Sequence, residues 1–451
     1  MSYFSVPTVT RSLDDNSFLL AFNSIDNIKP IINNSLFNYI SRVKGFIEPH
    51  ISQWDTIKKY TNTYEYIHTP VPVTKQSVCK YKPISRSYFK MVEMFNNFNI
   101  GDNFSSNNIN SFHLAEGPGG FIEAMATTRN NSNDKYYGMT LIEPTNNNVP
   151  GWKKSERVLS KYPNITVETG IDSRGDLYNK DNLEYCYKKY ANTMDLVTGD
   201  GGFDFSIDFN KQEAFAIRLI FSQISFAITL QKPGGTFILK IFDMFLESTI
   251  ELVYLLSTLY KNVIITKPYT SRTANSERYI ICKNFKLSSS EKPYKKFHEI
   301  FKILSKIDMS KNYISKFFNF KVPYYFINRI EECNAILGQQ QIENINYTIS
   351  IIENKKYADK IEQIKRNNIH KCIAWCVKHG LAYNKNIGVT NIFLADNINL
   401  SPTDMSPNEN NDDLTNRVSE RENKFKTNTF LSRKYNYNIT EESVDISNDI
   451  I

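Results

Sequence analysis

The chain has 451 residues, 41% hydrophobic and 13% aromatic, enough for a sizeable core and about two domains with extensions at roughly 100–200 residues per domain. Its formal charge is +7, but residues 386–451 hold six Lys or Arg against eleven Asp or Glu, which leaves +12 on the first 385; a basic body with an acidic tail suits a polyanionic partner. Six scattered cysteines (Cys79, Cys186, Cys282, Cys333, Cys372, Cys376) argue against a disulfide framework. Apolar runs such as Leu252 to Leu256 fall far short of the ~20 residues of a membrane span, so a soluble, intracellular protein is expected.

In chain order, residues 1–75 mix short apolar runs with polar residues and carry an aromatic patch, Trp54, Tyr60, Tyr64 and Tyr66. They read as a partly ordered extension whose aromatics pack on the main domain or stack on bases. From Pro83 to Phe95 the spacing predicts a helix with Ser85 able to cap it and Lys90 off its apolar stripe. Ser111-Phe-His-Leu-Ala-Glu-Gly-Pro-Gly-Gly-Phe-Ile-Glu-Ala-Met-Ala126 then reads as strand, glycine loop and helix. Such a loop is either a tight turn or a pocket in which a ligand approaches the main chain and unpaired helix N–H groups. No Lys-Ser/Thr follows the glycines and the spacing is not that of a dinucleotide fingerprint, which leaves S-adenosylmethionine as the cofactor to test.

Further strands are predicted at 136–142, 165–168, 194–199, 236–242, 263–266 and 278–282, with helices at 152–162, up to 190, 208–230 and 245–260 and a stop at Pro233-Gly-Gly. Seven strands interleaved with helices imply an α/β fold, an open, doubly wound sheet with the first strand's loop near the topological switch point. Residues 288–385 show only helical periodicity and read as a small helical module, while 386–451 is an acidic, Asn-rich tail that cannot bury enough surface to fold alone. His370, Cys372, Cys376 and His379 fall within ten residues, but one helix cannot easily aim all four at one ion; a buried helix face is expected there, and no metal.

Four charged residues, Lys90, Asp200, Lys240 and Glu277, stand near sheet ends or in apolar surroundings, where a charge must pair or serve chemistry. In order and spacing, Ser85-Arg-Ser-Tyr-Phe-Lys90, Glu116-Gly-Pro-Gly-Gly-Phe121, Asp200-Gly-Gly-Phe203, Leu239-Lys240 and Ser271-Arg-Thr-Ala-Asn-Ser-Glu277 resemble the FtsJ-like RNA 2′-O-methyltransferases. Gly138-Met-Thr-Leu141, Gly170-Ile-Asp-Ser-Arg-Gly-Asp176 and Lys267 to Tyr279 look most like the members from eukaryotes and large DNA viruses that methylate the mRNA cap.

The resemblance spans about 82–285 and implies a Rossmann-like S-adenosylmethionine-dependent methyltransferase domain, bounded at 76–287, with catalytic Lys90, Asp200, Lys240 and Glu277. Lys240 would be the base that takes the 2′-OH proton, with Lys90 beside it and the two carboxylates orienting the amines. Glu116, Gly117, Pro118, Gly119, Gly120 and Phe121 would hold the methionine end of the cofactor; Asp176 would meet the adenine or serve a turn. Arg86, Arg272 and Asn275 would sit where RNA or its cap approaches. Capped mRNA is the implied substrate, with ribosomal or transfer RNA, or a non-catalytic RNA-binding role, as alternatives. The cytoplasm, a viral cytoplasmic compartment or virion, or the nucleus would house it, with protein partners left open.

Overall fold

A computed structural model of the chain describes residues 2–385 except 73, 105, 147–148, 203–209 and 355–357. The described residues belong to one compact unit; the tail beyond 390, and Phe203, lie outside the described residues. The chain opens with β1 (Ser2–Val6), β2 (Phe18–Ser24), α1 (Asn34–Gly45), α2 (Ile51–Thr61) and α3 (Ser87–Asn97). There follow β3 (Asn110–Leu114), α4 (Gly120–Arg129), β4 (Lys135–Met139), α5 (Glu156–Lys161), β5 (Ile165–Glu168), α6 (Lys180–Tyr190), β6 (Met194–Gly199), α7 (Gln212–Leu230) and β7 (Gln231–Ile241). The last third runs α8 (Glu247–Leu259), β8 (Tyr260–Lys267), β9 (Arg278–Phe285), α9 (Glu291–Leu304), β10 (Asn312–Phe318), α10 (Tyr324–Glu353) and α11 (Ala358–Lys378).

Eight strands form one sheet in the order β1-β8-β9-β7-β6-β3-β4-β5. β7, β6, β3, β4 and β5 are parallel neighbours, and β9, inserted antiparallel between β7 and β8, reverses the sense. Parallel strands in the middle of the sheet are covered on both faces, which is why β6 is buried along its whole length, its one charge, Asp195, being paired with Lys232. From β3 the chain winds outward through β4 and β5, then returns to β6 on the other side, so the crevice between the carboxyl ends of β3 and β6 is the switch point.

One face of the sheet shares a core with α6, α7, α8, α9, β10 and α10; the other packs on α3, α4 and α11. α7 is long and apolar enough to cross a membrane, yet 89% of that stretch is buried inside the protein. The predicted α/β class and doubly wound order hold, with three corrections. The sheet has eight strands, because Ser2–Val6, part of the expected extension, pairs antiparallel with Val263–Lys267. Residues 288–385 are helical as expected but contain β10, which pairs with β2 across nearly 300 positions. Pro233-Gly-Gly lies within β7 at a register shift against β6, among residues that bulge out of the ladder, where proline's missing N–H breaks no pairing.

A buried network ties the termini to the sheet. Arg278, 1% exposed, donates to Asn334 on α10 at 2.6 Å and to Asp243 at 3.3 Å, while Lys44 on α1 meets Asp243 at 3.1 Å. Burial would raise the Asp243 carboxyl, but the two cations hold it below the ordinary range. On α11, Cys372, Trp375 and Cys376 are buried against Phe89 and their neighbours, so the face of that helix is core.

Candidate active site

The four charged residues converge. β7 and β9 pair so that Lys240 lies opposite Tyr279, and Gly199 at the end of β6 lies beside Leu239; side chains opposite one another in an antiparallel pair share a face. Lys240 Nζ therefore reaches the Asp200 carbonyl at 2.6 Å and its Oδ1 at 3.3 Å. α3 brings Lys90 to the same end of the sheet, where Nζ meets Glu277 at 2.7 Å. Tyr279 joins the two pairs, donating to Asp200 Oδ1 at 2.8 Å and accepting from Lys90 at 3.3 Å.

All four charged side chains are between 9% and 14% exposed, so they are largely withdrawn from solvent but not sealed from it. Burial alone would raise the Glu277 carboxyl; the Lys90 and Lys240 ammonium groups and hydrogen bonds from Lys90 and Ser271 hold it well below the usual range. The Tyr279 phenol is pushed far up by burial and by the neighbouring Asp200 and Glu277, so it stays protonated as a donor. Tyr279 had no role in the sequence reading, although its period in β9 puts it on the face of Lys240.

The glycine loop closes the crevice beside Asp200. Gly119 has φ +111°, which a side chain with Cβ resists, and a Cβ on Gly120 would come within 2.3 Å of the hydroxyls of Ser85 and Ser87. Gly120 thus lets the start of α4 lie directly on the start of α3. Gly117 and Pro118 pass against Gly151 and Ser155, whose hydroxyl donates to the Pro118 carbonyl at 2.7 Å. Glu116 folds inward and accepts the N–H groups of Phe121 and Ile122 at 2.6 and 2.9 Å, capping α4. Burial pushes its carboxyl up to about 8, and the nearby Asp200 adds to the rise. Phe121 is fully buried against Tyr279, so its side chain supports the loop from within the core.

The residues expected on the RNA side, Arg86, Arg272 and Asn275, are held by neighbouring groups. Arg272 grips Glu65 with two contacts at 2.8 and 3.1 Å, and Arg86 reaches the same carboxylate at 3.5 Å and the Thr270 carbonyl at 3.0 Å. Glu65 also accepts from Asn62 and Thr69. Burial would raise it, yet the two guanidiniums and these hydrogen bonds bring it down to about 2. Asn275 is exposed, and its carbonyl and side-chain oxygens accept from Lys267 at 2.7 and 2.9 Å. Lys267 also donates to the Glu277 carbonyl at 2.8 Å, and burial pushes its ammonium down to about 7. Asp176 accepts the Tyr178 N–H at 2.8 Å, the turn contact that its Gly-Asp setting predicts.

Neither Glu65 nor Lys267 was singled out from sequence, and no local signal marks them. Glu93 is a third such residue, buried on α3, where its carboxylate accepts from the Tyr269 N–H at 2.8 Å and from the Thr270 N–H and hydroxyl. Together these groups fasten the loop between β8 and β9, which carries Arg272, Asn275 and Glu277, to the body of the protein. Among the described residues no group of three or more His, Cys, Asp or Glu could hold a metal ion.

Over 376 residues the chain is 26% identical to the protein named cap-specific mRNA (nucleoside-2′-O-)-methyltransferase 2 of Pongo abelii, which covers 79% of this chain and 44% of the relative. It is 37% identical over 171 residues to the cap-specific mRNA (nucleoside-2′-O-)-methyltransferase of Autographa californica nuclear polyhedrosis virus, covering 38% of this chain and 62% of the relative. The human protein named cap-specific mRNA (nucleoside-2′-O-)-methyltransferase 1 is 34% identical over 179 residues, covering 39% of this chain and 21% of the relative. The chain thus spans less than two thirds of the length of each. Residues 83–285, the segment that holds the glycine loop, both lysines and both carboxylates, match the model of the FtsJ-like methyltransferase family.

Proposed function

We propose that this chain is an S-adenosylmethionine-dependent RNA ribose 2′-O-methyltransferase acting on the first transcribed nucleotides of capped mRNA, inside the cell that makes that mRNA. The observation that carries the reading is the joined pair of lysine–carboxylate contacts, Lys240–Asp200 and Lys90–Glu277, where the carboxyl ends of β6 and β7 meet the start of β9 and α3, beside the glycine loop. The relatives' names support the reaction and the substrate.

The residues present fit the cofactor by charge. Glu116 is a buried carboxyl without an ion pair among the described residues, raised by burial and by Asp200; a cationic ligand in this crevice would let it ionise. S-adenosylmethionine carries such a charge and would supply the methyl group from its sulfonium. Gly119, free of a Cβ at φ +111°, would leave the main chain open to it, and Glu116 would hold its ammonium end.

Transfer to a ribose hydroxyl is an in-line displacement, so the protein must align the acceptor and help remove a proton. Lys240 would take that proton at Nζ after giving up one of its own, while its contacts with Asp200 fix where the lone pair points. Lys90, held by Glu277 and Tyr279, would set a second positive charge beside the oxygen as it becomes more negative. Arg86 and Arg272, braced by Glu65, would face the RNA chain.

Incubation with labelled S-adenosylmethionine and matched capped and uncapped RNAs, followed by digestion, tests the reading. Label on the ribose of the first transcribed nucleotides of capped RNA is expected. Label at internal positions, or equal label on uncapped RNA, would overturn the substrate, and no label on either would overturn the reaction.

A further inference from the structure

The loop that carries Glu277 has a second side. There it meets the segment after α2, α10 and α11 around a cleft of about 470 Å³, within the span of about 300–1,000 Å³ usual for ligand sites. Tyr64 and Tyr269 form one wall, stacked with ring centroids 5.1 Å apart and planes 23° from parallel. Tyr269 remains 49% exposed, and Glu93 holds its main chain in place. Such a ring offers a π-face at low ordering cost.

The lining also includes Lys371 on α11, which is exposed and has no hydrogen bond or ion pair among the described residues. Asn62 and Gln340 add amide groups. Ser271 connects the cleft to the tetrad: it lines the cleft while its hydroxyl donates to Glu277 Oε1 at 2.7 Å. A flat aromatic face, an unpaired ammonium and amide groups in one cleft are the complement of a base with its phosphate. The separation from the tetrad is a single loop.

Resting on the RNA methyltransferase reading, we propose that this cleft binds a second nucleobase of the RNA, stacked on Tyr269 with its phosphate toward Lys371, while the ribose to be methylated lies at Lys240. The base comes either from the cap guanosine or from a neighbouring transcribed nucleotide, which share this chemistry. The sites expected from sequence, Arg86, Arg272 and Asn275, lie on the same loop or beside it, but none of them lines this cleft.

The test uses the full chain and fluorescence anisotropy with one labelled oligonucleotide, capped or uncapped. Tyr269→Ala should weaken RNA binding by about ten-fold or more, the usual loss of one base stack, and Tyr269→Trp should restore it. Lys371→Ala should weaken binding uniformly across sequences and lower the salt slope by about 1. Affinity for S-adenosylmethionine and the melting temperature should be unchanged in each. A loss on both RNAs assigns the cleft to a transcribed nucleotide, and a loss on capped RNA alone assigns it to the cap. Wild-type protein that methylates RNA, beside Tyr269→Ala and Lys371→Ala variants that bind it as well as wild type, would overturn the proposal. Wild-type protein that methylates no RNA would instead overturn the reading on which it rests.

Discussion

Glu116, on the glycine-loop side of the tetrad, and Glu65, on its arginine side, are almost equally buried at 4% and 3% exposure. Burial pushes both carboxyls up. For Glu116 two backbone N–H groups and Lys240 pull it down while the like charge of Asp200 pushes it up, and the result is about 8. For Glu65 they are Arg272 and Arg86 with two neutral donors, and the result is about 2. Desolvation of similar kind thus ends with opposite sign, because opposite charge within contact distance outweighs it and like charge adds to it. The glycine-loop side is left short of a cation, whereas the arginine side has matched its cations with a carboxylate of the N-terminal segment.

The largest expected effect falls between the two sides. Lys240→Ala should lower turnover by about 10²–10⁴-fold while leaving affinity for S-adenosylmethionine intact, since a base acts in the transition state. Lys240→Arg should not rescue it, because a guanidinium does not give up its proton near neutrality. Single-turnover rates beside calorimetry make the measurement, and substantial activity in Lys240→Ala would remove the base from this position.

On the glycine-loop side, Gly119→Val forces a β-branched residue to φ +111°, where such residues are outliers. Cofactor binding should weaken by about 100-fold or more if the main chain there touches the ligand. Calorimetry on a variant whose melting curve shows it folded decides the matter; unchanged affinity would take the loop out of the site.

On the arginine side, Glu65→Gln should destabilise the protein by about 2 kcal/mol at neutral pH, at the low end for a broken buried pair because both arginines are about a third exposed. Its folded value lies below the ordinary 4.5, so its stabilisation is fully present above 4.5 and is lost as pH falls through about 2. The gap between wild type and variant in chemical unfolding should therefore close between those limits. A gap that persisted unchanged at pH 2 would mean that the arginines do not hold this carboxylate.

The counterpart at Glu116 has the reverse sign and a smaller size. Its value is raised from 4.5 to about 8, so at neutral pH most of it is protonated, and a cationic ligand gains a partner as pH rises toward 8. Cofactor affinity of the wild type should rise by roughly five-fold over that range, a modest charge effect, and Glu116→Gln should lack this component. Parallel slopes for the two proteins would show that the carboxyl does not face the ligand. Smallest of all, removal of residues 396–451 should leave activity and melting nearly unchanged, as their solvated, acidic composition predicts; a large loss of either would show that the tail docks.

What could be read from the chain alone was whatever rests on local pattern or on chemical rarity. β5 and β6 run over 165–168 and 194–199 as expected; β6, covered on both faces, is buried throughout, whereas β5 at the sheet edge is buried only at its ends. Lys240 stood out as the one charge in an apolar strand, and the glycine loop as a break between strand and helix; the structure brings Lys240, Asp200, Lys90 and Glu277 to one place. Nothing local announces β1 or β2, which become strands through partners more than 250 residues away, because an edge strand is decided by what it pairs with. Glu65 has the same origin: its grip on Arg272 spans 207 positions and braces the two arginines expected where RNA approaches. Sequence determined which groups could do the chemistry. Tertiary structure decided which of them are charged and what they touch, since desolvation and long-range pairing exist only once the chain has folded.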